Sequence, residues 1–212
     1  MKIENNKNVF SKIKKREDFP ILIKQMGYKK LCEVGVNAGY FLAHLATTIP
    51  EHLVGVDVWD KYDIEAYEQF PSYYNIYPHE NNKKSREAIQ SWASKINFNV
   101  EIVVDFSVRA AKQFKDGYFD FVYIDADHSY DGVTADLEAW YPKVRKGGML
   151  AGHDYKNWER EDPALRGHTN LLFSFRTRDA IDNFVKKNNK HDDFYTTGET
   201  GQYSTKSFLI IK

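Results

Sequence analysis

Lys30-Leu31-Cys32-Glu33-Val34-Gly35-Val36-Asn37-Ala38-Gly39-Tyr40-Phe41-Leu42 carries an apolar strand straight into a loop with two glycines and on into a helical stretch. Gly35 and Gly39 let the backbone turn sharply at the strand end and approach a ligand closely, while the helix that follows directs free N–H groups into the same space. This is the pattern of a nucleotide-type cofactor loop, with Glu33, Gly35, Asn37, Gly39 and Tyr40 as its candidate binding residues. Glu33 would repel a pyrophosphate, and the third glycine of the dinucleotide fingerprint is missing. A cofactor with a cationic amine and no phosphate meets both constraints, and S-adenosylmethionine is such a cofactor. The plainer alternative is a tight strand-to-helix turn closed by the two glycines.

About twenty residues on, His52-Leu53-Val54-Gly55-Val56-Asp57 is a second apolar strand ending in an acid. Asp57 stands where ribose hydroxyls are gripped when a second strand lies beside the first; the alternative is a helix cap. Runs from His52 to Val58, Val100 to Val104, Phe119 to Asp125 and Gly148 to Gly152 read as strands. They alternate with helical stretches from Ala38 to Thr48, Asn82 to Ile96, Ser107 to Phe114 and Tyr130 to Val144, which argues for a parallel sheet covered on both faces. The expected fold is a doubly wound α/β domain. Past the fifth strand we expect a polar loop from Tyr155 to Arg176, a helix from about Arg178 to Asn189, and an antiparallel hairpin of Asp193 to Thr197 with Ser207 to Lys212.

The 212 residues suit a single domain, with residues 1–27 as two short covering helical pieces interrupted by Pro20. Thirty basic residues balance thirty acidic ones, so there is no electrostatic footprint for nucleic acid and no polybasic membrane patch. The expected partner is a small-molecule acceptor, with a homo-oligomer left open. Cys32, the one cysteine, lies inside the first strand and reads as core packing. With no signal core and no long apolar span, the expected location is cytoplasmic. Residues 59–81 stand apart as an aromatic insertion holding Tyr62, Tyr67, Phe70, Tyr73, Tyr74 and Tyr77. They read either as a lid over a ring-shaped acceptor or as a satellite hydrophobic cluster or oligomer contact.

The fourth strand runs into Asp125-Ala126-Asp127-His128-Ser129-Tyr130, and the fifth delivers Gly152-His153-Asp154-Tyr155 to the same sheet edge. Ligands of open α/β sheets bind at that edge. Oxygen ligands from Asp125 and Asp154 suit a hard divalent ion such as magnesium, while Asp127 or Ser129 has a second reading as a helix cap.

Together Glu33 to Gly39, Asp57, Ile124 to Tyr130 and Gly147 to Tyr155 closely resemble the class I S-adenosylmethionine-dependent methyltransferases. The likeness is strongest to the small-molecule O-methyltransferase branch of catechol-type and macrolide-sugar enzymes. The resemblance implies a Rossmann-like, mostly parallel seven-stranded sheet with a reversed last strand. It implies Glu33 at the methionine amine, Gly35 and Gly39 at the cofactor backbone, Asp57 at the ribose, and Asp105, Phe106 and Ser107 flanking the adenine, with Asp125 also beside the cofactor. It further places Asp125, His153 and Asp154 at the metal and His128 as general base, with Asp127 as its rival. Catechol-type enzymes carry lysine where His128 stands and Asp-Asn where His153-Asp154 stands, whereas the sugar-modifying branch uses histidine as base. The implied activity is methyl transfer to a hydroxyl of a sugar or phenol-like molecule. Its competitors are a non-catalytic cofactor-binding accessory protein on the same fold and an NAD-dependent oxidoreductase.

Overall fold

Both faces of the first strand are apolar, so it must be covered on both sides. In the computed structural model, which describes Phe10 and residues 13–59, 79–96, 98–161, 172–198 and 205–212, that is how β1 (Lys30–Val34) lies, between β2 (His52–Asp57) and β4 (Phe119–Ile124). With β3 (Val100–Val104), β5 (Val144–Gly152), β8 (Phe194–Thr196) and β9 (Phe208–Ile211) they form a seven-stranded sheet of order β3-β2-β1-β4-β5-β9-β8. β1 to β5 pair in parallel, and β9 runs antiparallel between β5 and β8. The doubly wound sheet with a reversed last strand is therefore present, the reversed strand being inserted beside β5 and not at the edge. The strand order changes direction between β1 and β4, and the crevice that opens there at the carboxyl ends is the ligand position of such sheets.

Two hydrophobic layers cover the sheet. On one face α1 (Phe19–Met26) and α2 (Tyr40–Ala46) pack Phe19, Leu22, Phe41 and Leu42 on Leu31, Phe121 and Tyr123, with Ile89 of α3 (His79–Lys95). On the other, α4 (Ser107–Ala111), α5 (Tyr130–Trp140) and α6 (Thr177–Lys187) pack Ala110, Leu137, Trp140, Ile181 and Phe184 on Cys32, Val122 and Ile124. A register shift between Phe119 and Phe121 in β4 lets these two rings enter opposite layers although they are two residues apart. Each fully buried Leu or Phe contributes about 1.5 to 3 kcal/mol of transfer free energy.

Several boundaries differ from the sequence expectation. Pro20 does not interrupt a helix: it sits in the first turn of α1, where its missing N–H has no partner to lose, and a 3₁₀ turn (Arg16–Asp18) precedes it. α5 stops at Trp140 because Pro142 lies in a second 3₁₀ turn (Tyr141–Lys143), and β5 starts at Val144, four residues before the expected strand. The span read as polar loop contains a two-stranded antiparallel ribbon, β6 (Asn157–Glu161) with β7 (Leu172–Arg176). The aromatic positions Tyr62, Tyr67, Phe70, Tyr73, Tyr74 and Tyr77 lie outside the described residues. Among the described residues no helix is long and apolar enough to cross a membrane.

Candidate active site

The β1 turn is built by close approach. Gly35 takes φ +88°, and a Cβ there would lie 2.1 Å from the carbonyl oxygen of Asp125, so only glycine lets the tips of β1 and β4 meet. Asp125 N–H donates to Val34 O (2.7 Å), and Gly35 N–H donates to Val56 O (2.8 Å), tying three strand ends together. Asn37 is also left-handed (φ 51°). Gly39, at φ +84°, precedes α2, and a Cβ there would strike Ile89.

Glu33 is 2 % exposed, and among the described residues its Oε2 has no hydrogen-bond partner. Burial, and next the charge of Asp125, push its pKa well above the carboxylate range, while the Arg16 guanidinium and the Leu42 N–H pull the other way. A buried carboxylate oxygen left without a donor in this way calls for a cationic one. Asp57 receives Asn37 N–H on Oδ2 (2.8 Å) and Trp59 N–H on Oδ1 (3.0 Å), and Trp59 Nε1–H closes the loop onto Asn37 O (2.9 Å). Burial raises the Asp57 pKa despite these N–H groups. The N–H groups of Val36 and Val58 act on the same carboxylate.

Asp105, at the tip of β3, accepts from Phe106 N–H (2.8 Å) and Arg109 Nε–H (3.0 Å), and the Arg109 guanidinium lies over the Phe106 ring. Two expected cofactor contacts are not arranged as read. Ser107 turns its hydroxyl inward, accepting from Trp140 Nε1–H (2.8 Å) and bonding Asp136, because a buried indole and a buried acid need that partner; only its backbone remains to flank an adenine. Tyr40 is 79 % exposed, since the first residue of α2 faces outward, where it lines a surface groove with Ala43, His44, Ile89 and Trp92.

The tips of β4 and β5 bring Asp125, His128, His153 and Asp154 together. His128 Nε2 is 2.8 Å from Asp154 Oδ2 and 3.5 Å from Asp125 Oδ1, while His153 Nδ1 is 3.3 Å and 4.0 Å from the same two oxygens. Asp154 reaches inward because its backbone turns left-handed at φ 52°, a conformation that costs a non-glycine residue about 1 kcal/mol or more and that clusters at functional sites. Burial alone would depress the His128 pKa, but its bonds to Asp125 and Asp154 outweigh that and hold it at about 10. Asp154 moves oppositely: burial would raise it, yet bonds from His128, His153 and Thr205 drive it below the carboxylate range. Ligand atoms of Asp125, His128 and Asp154 lie within 4.8 Å of one another, the compactness of a divalent-ion site. That triplet holds His128 where the sequence reading had His153, which bonds Thr205 as well. Asp127 stays apart: it accepts from Ser129 N–H (2.7 Å) and packs on Gly132, so it shapes the start of α5, whose N-cap is Ser129.

Three contributors carried no sequence signal. Arg16 Nη1 donates to Asp125 Oδ2 at 2.9 Å across 109 residues. Phe175 of the unexpected ribbon packs edge-on against the His128 ring at 5.4 Å. Thr205 lies beside His153 from the segment before β9.

A sheet of this order, with an acid at the tip of β1, a second at β2 and an acid-imidazole cluster at β4 and β5, defines a class I methyltransferase-type domain. A family model described as a methyltransferase domain matches residues 32–155, more than half of the 212, and the chain belongs to that family. The fold is similar to that of an O-methyltransferase from Bacillus cereus in complex with SAH, at TM-score 0.53 and 17 % identity over 93 % of this chain and 80 % of that one. It is likewise similar to the O-methyltransferase TomG from Streptomyces achromogenes, which is involved in tomaymycin synthesis and was solved with SAM (0.54, 14 %, 93 % and 79 %). An rRNA methylase from Streptococcus thermophilus shares the fold as well (0.57, 10 %, 92 % and 93 %). No curated protein sequence matches the chain.

Proposed function

We propose that this chain moves a methyl group from S-adenosylmethionine to a hydroxyl of a small molecule, with a divalent cation at Asp125 and Asp154 and with His128 as general base. The observation that carries the reading is the meeting of His128 with Asp125 and Asp154, at the same sheet edge as the buried Glu33 carboxylate, whose Oε2 has no partner among the described residues. The donor sets fit both groups. A cationic amine satisfies Glu33, and two carboxylates already drawing positive charge from one imidazole are the oxygen donors a hard ion takes. When bound, the two groups supply an electrophilic sulfonium methyl and a Lewis acid that stabilises an ionised hydroxyl.

The chain's own residues do the rest. Glu33 and Asp57 hold the two ends of the methyl donor, and the Gly35 turn keeps the tips of β1 and β4 at contact distance so that donor and acceptor share one crevice. His128 Nε2 is placed to take the acceptor's proton; Asp125 and Asp154, which now hold the imidazolium, would hold a divalent cation in its stead, and the ring would then be free to act as a base. A small-molecule hydroxyl is favoured over nucleic acid by the balanced charge, and the O-methyltransferase neighbours are consistent with it.

The test is transfer of a labelled methyl from S-adenosylmethionine to a panel of phenols and sugars, with amines, thiols and RNA as controls. Hydroxyl products are expected. Binding of NAD with no binding of S-adenosylmethionine would overturn the assignment. His128→Ala should cut turnover about a hundred-fold or more with cofactor affinity retained; an unchanged rate removes His128 as the base.

A further inference from the structure

Arg16 belongs to the 3₁₀ turn ahead of α1, outside the matched family segment of 32–155. Its guanidinium nevertheless reaches the carboxyl ends of the central strands, donating to Asp125 Oδ2 at 2.9 Å and lying over the Phe41 ring, 5.5 Å from the centroid, in the first turn of α2. It interacts electrostatically with Glu33 and Tyr123 as well as Asp125. Arg16 is thus brought to the same sheet edge as Glu33 and Asp125, which come from the two strands that meet at the glycine turn. One of the acids, Glu33, is 2 % exposed with an oxygen that no described residue satisfies.

That charge pattern is the complement of an α-amino acid end: an ammonium for the acids and a carboxylate for the guanidinium. An ammonium needs only the acids; a guanidinium reaching the same crevice adds donors suited to a carboxylate. We propose that Arg16 recognises the α-carboxylate of the methionine end of the cofactor while Glu33 takes its ammonium, with Asp125 orienting the guanidinium between them. Arg is suited to this because its planar fork presents five N–H donors in a geometry that matches carboxylates and serves Asp125 and a ligand from different edges. The N-terminal segment is then part of cofactor recognition, and the site is built from residues 109 positions apart. The inference rests on S-adenosylmethionine being the cofactor.

Calorimetric titration of the wild-type chain and of Arg16→Gln with two ligands tests it. The ligands are S-adenosylmethionine and its decarboxylated analogue, which keeps the sulfonium, ammonium and adenosine. Wild type should bind the full cofactor at least tenfold tighter than the analogue. Arg16→Gln should lose tenfold or more for the cofactor, about 1.4 kcal/mol, and less than twofold for the analogue, with Arg16→Lys between. Equal losses for both ligands would make Arg16 a structural prop for Asp125, and tighter cofactor binding by Arg16→Gln would make it a competitor for the ammonium position; either result overturns the proposal. Failure of the wild type to bind either ligand is a separate result that overturns the cofactor reading and this inference with it. Thermal unfolding of each variant, matched to wild type, confirms that the comparison is made on folded protein.

Discussion

Asp136 is 4 % exposed on the inner face of α5, and burial lifts its pKa to about 7 against the opposing bond from Ser107. The unfolded chain loses this proton near the ordinary aspartate value while the folded chain keeps it to about pH 7. Between those points the unfolded state binds fewer protons than the folded one, so stability falls as pH rises, by about 1.4 kcal/mol per unit. Asp136→Asn keeps the shape and removes the titration. Urea denaturation should find the variant more stable than wild type at pH 8 by roughly 2 to 4 kcal/mol and indistinguishable from it near pH 4. Equal stability at pH 8 would show that Asp136 ionises in the fold at no cost. Glu33 shares the physics but faces the crevice, so its burial leaves a requirement for a ligand, whereas Ser107 already meets that of Asp136.

The parallel strands were legible as elements because burial on both faces writes an unbroken apolar run, as in Leu53 to Val56 and Phe121 to Ile124. β6 and β7 were not, because β6 carries Asn157, Glu159, Arg160 and Glu161 among its five residues and the Phe173-Ser174-Phe175 alternation of β7 is too short to stand out from the polar span around it. This ribbon and the start of α6 nevertheless grip the proposed base. Phe175 stands against the His128 ring, Arg176 N–H donates to the His128 carbonyl at 3.1 Å, and Thr177 Oγ1 does so at 3.3 Å. Holding an imidazole to one orientation is a positional effect, and loss of about 1 Å of placement costs up to about a hundred-fold in rate. Phe175→Ala should therefore lower kcat roughly tenfold or more while the cofactor affinity stays within twofold. A parallel rise in cofactor Kd would place the ribbon at the cofactor instead of at the base. The same reasoning explains which site residues a sequence discloses: Glu33, Asp57, Asp125 and Asp154 end strands and so announce their edge, whereas Arg16, Phe175 and Thr205 arrive by tertiary packing from segments with no pattern of their own.

At the scale of the whole chain, opposing charges meet beside the place where the sheet changes direction: Asp125 and Asp154 come from adjacent parallel strands and are balanced by His128 and Arg16. Unfolding separates the tips of β4 and β5, so a cation held by both acids binds the folded state alone and stabilises it by mass action. At a hundred times its Kd the gain is about 2.7 kcal/mol, which for a chain of this length moves Tm by about 5 to 10 °C. Thermal scans in magnesium or manganese against EDTA should show that rise. Asp154→Asn should remove the rise from the cation while keeping the one produced by S-adenosylmethionine, because Glu33 and Asp57 sit on β1 and β2, away from the β5 tip. Calcium and magnesium should differ, since two carboxylates offer few donors and leave the remaining positions to water, a coordination magnesium tolerates better than calcium. A wild-type Tm indifferent to every divalent ion, combined with an intact shift from the cofactor, would leave the acids serving only to hold His128 and Arg16 in place, and would make the methyl transfer independent of metal.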